Sequence, residues 1–110
     1  MTPQRFHNLL IDYLDEYRVH LPHVKSNSST THHISIVKEF IDYLHNHHLV
    51  AGIEQITVSM CCSKFMTHYR KRNKEVVSKE MMKGVLKGYF EFLKAKHRIR
   101  NDILMNGLNK

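Results

Sequence analysis

Lys79, Lys83 and Lys87 recur at every fourth residue, and four more cations, Arg70, Lys71, Arg72 and Lys74, stand just ahead of them. Ammonium and guanidinium groups at this density suit one kind of chemistry, the neutralisation of phosphate oxygens with release of counterions. A spacing of four keeps the lysines on one flank of a helix, where Lys94 joins them, so they form an edge rather than a ring. The helix that must carry this edge is legible over 78–97. At 100° per residue Met82, Val85, Leu86, Tyr89, Phe90 and Leu93 share one arc, and Ser78 offers an N-cap hydroxyl. Gly84 and Gly88 lie elsewhere on it in a GxxxG spacing, which in an amphipathic helix suggests at most a close approach of another segment.

Other reactive residue types point to no site. Cys61 and Cys62 are adjacent and fall on an inward helical face, whereas metal pairs need intervening residues, so buried, unreactive thiols are expected. The ten histidines include His32-His33 and His45-x-His47-His48, but no HExxH or paired CxxC accompanies them; no metal and no cofactor is expected. With unperturbed imidazoles titrating near about pH 6.5, the chain becomes steadily more cationic toward pH 6, which would strengthen a polyanion contact. Nucleophilic catalysis lacks a Gly-x-Ser-x-Gly and phosphate binding lacks a Gly-rich loop, while Asp15-Glu16 lies on an outer helix face. Enzymatic activity is not expected of this chain.

The remaining elements are helical. Thr2-Pro3 starts a helix on which Phe6, Leu9, Leu10, Tyr13, Leu14 and Tyr17 follow the i, i+3, i+4 pattern to about residue 20, where Pro22 ends it. The Ser-rich stretch 23–31 is expected to be a loop that caps a second helix over 31–48, with Ile34, Val37, Phe40, Ile41 and Leu44 inward. Thr57 caps a third over 58–71, with Val58, Cys61, Cys62, Phe65, Met66 and Tyr69 on one face. The fourth, 79–97, has been described. Beyond it Ile99, Ile103 and Leu104 suggest a last turn or short helix. No strand pattern, internal repeat or second domain is visible, so the fold class is all-α, one domain over 1–110.

Length and charge fit that reading. A chain of 110 residues, 42% apolar and 25% charged, suits one soluble domain, and no apolar run reaches the roughly 20 residues of a membrane helix. The N-terminus is too acidic for a signal peptide, which makes the cytoplasm the default compartment. The net charge of +7 is unevenly spread: residues 1–55 carry four Lys/Arg against six acids, and residues 56–110 carry thirteen against four. This asymmetry favours a polyanionic partner, nucleic acid first. The alternative is a helical protein-interaction module whose basic face meets an acidic partner. Helix-turn-helix regulation ranks third, because no tight Gly turn precedes a polar recognition helix.

One succession of features resembles a known family. It comprises Phe6, Leu10, Tyr13 and Leu14 in the first helix, the Ser/Thr-rich Ser28 to Thr31, FIDYL at Phe40 to Leu44, Ile56-Thr57, Phe65 and Tyr69, Ser78 ahead of GYFEFL at Gly88 to Leu93, and a closing HRIRND. This order resembles the N-terminal core-binding domain of tyrosine recombinases, the phage-integrase SAM-like domain. The family commonly has Asn-Pro where this chain has Asn101-Asp102, and the segment from Leu21 to Thr31 is longer than in its compact members. The resemblance implies a compact four-helix SAM-like bundle with a short fifth C-terminal turn or helix, acting as one jaw of a clamp on duplex DNA at a recombination site. It further implies that the nucleophilic tyrosine belongs to a separate catalytic domain, that the partners are double-stranded DNA and other recombinase protomers, and that neither a membrane nor a small-molecule substrate is involved. DNA contacts are then expected from Lys79, Lys83, Lys87, Arg70, Lys71, Arg72 and Lys74, and, through the resemblance, from Thr30, Thr31 and His32 at the start of the second helix.

Overall fold

In the computed structural model, residues 1–21, 27–73 and 77–109 are described, with only the backbone for 27–29. Pro22, Lys74 and residues 23–26 of the expected Ser-rich loop lie outside these residues. The protein is all-α: five α-helices and no strand occur among the described residues. No helix there is long and apolar enough to cross a membrane. The chain divides into two compact units, Met1–Gly52 and Ile53–Lys110.

In the first unit α1, Pro3–His20, starts as its sequence dictates: Thr2 Oγ1 accepts from the Arg5 N–H at 3.2 Å, and proline sits in the first turn. Phe6, Leu10, Leu14 and Tyr17 are buried along one seam. α2 spans Asn27–Tyr43, beginning four residues before the expected start. The reason is the seam itself. Thr30 stands one turn ahead of Ile34 and is buried with it, so continuing the helix backward extends the apolar face. The helix then widens into a π-helical segment, Leu44–His48, and stops at Leu49, whose left-handed φ of 47° ends it before Gly52. α1 and α2 are tied by the His7 Nε2–H, which donates to Asp42 Oδ1 at 2.9 Å, while Lys38 Nζ holds Oδ2 at 3.0 Å. Burial pushes the Asp42 carboxyl up, but these two hydrogen bonds and the Lys38 charge together hold it below its ordinary value.

The second unit opens with a 3₁₀ turn, Ile53–Gln55. Thr57 caps the next helix as expected, its hydroxyl accepting from the Met60 N–H at 3.2 Å. That helix runs through a π-helical segment, Met60–Lys64, into α3, Phe65–Asn73, the Phe65 N–H reaching back to the Met60 carbonyl. The extra residue in the turn widens the inward arc, so the adjacent Cys61 and Cys62 are both buried together with Phe65, Met66 and Tyr69. α4 covers Lys79–His97, with Ser78 Oγ accepting from the Met81 N–H at 3.1 Å. The expected arc is buried in full, and Phe92 joins it.

α5, Asp102–Leu108, settles the C-terminal segment as a helix. Asn101 organises it. Its Oδ1 accepts from the Leu104 N–H at 3.0 Å, and its Nδ2 donates to the carbonyls of Ile53 at 2.9 Å and Ile56 at 3.0 Å. One side chain thus caps α5 and pins it to the start of the unit. The cap also sets the helix phase: Leu104, Met105 and Leu108 face inward, and Ile103, expected to pack, is 86% exposed. Gly107 makes the close approach possible, since a Cβ there would collide with Val58 Cγ2. Gly84 requires no such absence, because a Cβ there would meet nothing within 4 Å.

Candidate nucleic-acid interface

Among the described residues, the expected cationic contacts of the second unit come from two elements, α3 and α4. The unit carries thirteen Lys/Arg against five acids, and the first unit four against five. Arg70, Lys71 and Arg72 end α3, and all three are exposed. Lys79 is exposed at the start of α4, with Lys83 and Lys87 half-buried on the following turns.

The two basic runs are physically joined. Arg70 Nη2 donates to the Val77 carbonyl at 2.9 Å, which holds the exit of α3 against the entry of α4. A second link is electrostatic. α4 packs against the Met60–Lys64 turn; burial there pushes the Cys62 thiol up, and the Lys83 and Lys79 ammonium groups pull it partly back. Burial, with Cys62 alongside, drives the Cys61 thiol still higher. Both thiols are reduced and buried, as the adjacent spacing implied. Arg70 is engaged through Val77, and Lys87 through Glu91 at 3.8 Å.

At its C-terminus α4 ends on Arg98 in the left-handed region, φ 56°, with the Arg98 and Ile99 N–H groups both donating to the Leu93 carbonyl. Glycine is the usual occupant of such a position. Arginine there adds a cation beside Lys94 and Lys96, both exposed, and periodicity had no means of marking Arg98.

The expected contacts on α2 belong to the first unit and differ among themselves. Thr30 is buried at 7% exposure, which withdraws its hydroxyl from a phosphate backbone; Thr31 is exposed and His32 half-buried. Because α2 starts at Asn27, Thr31 and His32 lie beyond its first turn, where unpaired N–H groups would favour an anion. Thr30 and Thr31 line an open depression of about 410 Å³ with Arg18, Ile34, Ser35 and Lys38. Arg18 and Lys38 lie on different helices twenty residues apart, and no pattern in the sequence pairs them. Each has a carboxylate neighbour, Asp15 at 3.8 Å for Arg18 and Asp42 at 3.0 Å for Lys38.

Among the described residues no group of three or more His, Cys, Asp or Glu side chains is placed to hold a metal ion. No protein-family model matches the chain, and comparisons with curated proteins and with solved structures likewise return no match.

Proposed function

We propose that the chain is a DNA-binding module that grips duplex DNA through the second unit, in the manner of the core-binding domain of a tyrosine recombinase. The single observation that carries this reading is the Arg70–Val77 hydrogen bond, which makes one cationic edge of the end of α3 and the start of α4. Arg70, Lys71, Arg72, Lys79, Lys83 and Lys87 then approach phosphates. The chemistry is electrostatic and sequence-tolerant, since α4 offers its edge few of the Asn, Gln or Arg side chains that read bases. Strand cleavage belongs to a separate catalytic domain in this reading. Of the five tyrosines, Tyr17, Tyr43, Tyr69 and Tyr89 are buried and Tyr13 is half-buried, a poor start for a nucleophile.

The test is fluorescence anisotropy against a random-sequence duplex across a salt series. The expected dissociation constant at physiological salt is roughly 10⁻⁴ to 10⁻⁶ M, increasing steeply as salt rises. Absence of duplex binding at low salt, or preference for polyglutamate over DNA, would replace this reading with docking to an acidic protein.

A further inference from the structure

Two histidines that are 38 residues apart in sequence meet inside the first unit. The rings of His7, on α1, and His45, in the Leu44–His48 segment, have centroids 4.7 Å apart with their planes inclined at 38°. The Nδ1 atoms of both are buried, and neither has a hydrogen-bond partner. Buried ring nitrogens without a partner are rare, because each costs the full desolvation of a polar atom. Two of them on touching rings call for an occupant that serves both.

His7 is already set up as a ligand. Its Nε2–H donates to Asp42 Oδ1 at 2.9 Å, which in the neutral ring leaves the lone pair on Nδ1. A carboxylate on the far nitrogen of an imidazole is the usual support of a metal-binding histidine, fixing the ring and raising its basicity. Lys38 in turn holds the other oxygen of Asp42 at 3.0 Å, so the carboxylate itself is oriented. The π-helical segment contributes as well: it packs against α1, and such widened turns occur often at functional sites.

We infer that His7 Nδ1 and His45 Nδ1 form a two-nitrogen site for a divalent transition metal, Cu²⁺ foremost, with water completing its coordination. Imidazole suits copper, and among the first-row divalent ions copper binds such donors most tightly. The ring separation of 4.7 Å is compatible with two nitrogens cis on one metal, for which metal–nitrogen bonds of about 2.0 Å set the ring centres about 4.5 Å apart. This site is independent of the DNA reading, since none of its residues belongs to the cationic edge.

The experiment is a titration of the full chain with Cu²⁺, followed by electron paramagnetic resonance and by NMR of the histidine rings. One copper per chain should bind, its signal split by two nitrogens, and the His7 and His45 ring resonances should broaden before those of the other histidines. His7→Gln and His45→Gln should each remove the two-nitrogen signal, and Asp42→Asn should weaken binding about tenfold. His47→Gln with His48→Gln should leave it unchanged. Equal copper binding by the His7→Gln/His45→Gln double variant would overturn the site, as would first broadening at other histidines; because the broadening is read on the unsubstituted chain, misfolding of a variant cannot rescue the idea.

Discussion

Replacing Lys79 and Lys83 by Gln tests the cationic edge most directly. Glutamine has nearly the helix propensity of lysine without its charge, so α4 should survive with unchanged circular dichroism. Each phosphate neutralised contributes about 0.9 to the slope of log K against log salt. Lys71, Arg72, Lys79 and Lys83 are taken as the phosphate contacts. Four contacts give a slope of about −3.6, hence a loss of roughly 150-fold in affinity between 50 and 200 mM salt. The double variant should show a slope of about −1.8 and a loss of only about twelvefold over the same range. The assay is anisotropy with a labelled random duplex. The same substitution has a readout that does not involve DNA. Without Lys83 and Lys79 the Cys62 thiol loses the charges that oppose its burial, so its alkylation should become slower still. An unchanged salt slope refutes the role of α4 in binding; unchanged alkylation refutes its placement beside the Met60–Lys64 turn.

Three further outcomes follow from the packing. Gly107→Ala should destabilise the chain, because overpacking against the stiff Val58 costs about 1–3 kcal/mol and exceeds the roughly 1 kcal/mol gained in helix propensity; thermal unfolding should show partial rescue by Val58→Ala. Gly84→Ala, with open space around it, should instead raise the melting temperature by several degrees, in line with about 1 kcal/mol. Asn101→Ala removes a cap and two donated hydrogen bonds and should cost about 2–3 kcal/mol in urea unfolding, an effect that Asp102→Ala at the exposed neighbouring position should not match. For Asp42 the sign follows from its depressed folded value. Its contribution is present above the unfolded carboxylate value and lost as pH falls through the folded one, so the stability gap to Asp42→Asn should be full at neutral pH and close below about pH 4. A gap that persisted at pH 2 would sink that assignment.

How far the sequence reaches differs from helix to helix. α4 was legible to the residue, Lys79–His97, because a strong N-cap, an unbroken apolar arc and the absence of proline all act locally. α1 was legible for the same reasons. The start of α2 was not: Ser and Thr compete for caps and turns, and only burial of Thr30 beside Ile34 carries the helix back to Asn27. Cys61 and Cys62 were expected inward, but regular spacing turns adjacent residues about 100° apart, and the π-helical segment is what buries both. Ile103 was expected inside on its hydrophobicity alone, and the Asn101 cap turned it outward.

The same division holds for the sites. The lysine row of α4 follows from residue spacing alone, since helical geometry places every fourth side chain on one flank whatever the rest of the chain does. That this row continues the basic end of α3 depended on Arg70 reaching Val77, and the meeting of His7 with His45 depended on α1 packing against the Leu44–His48 segment. Periodicity encodes which face of a helix is buried. It carries no record of which distant side chain waits on the other side, because that choice is made by the packing of whole elements.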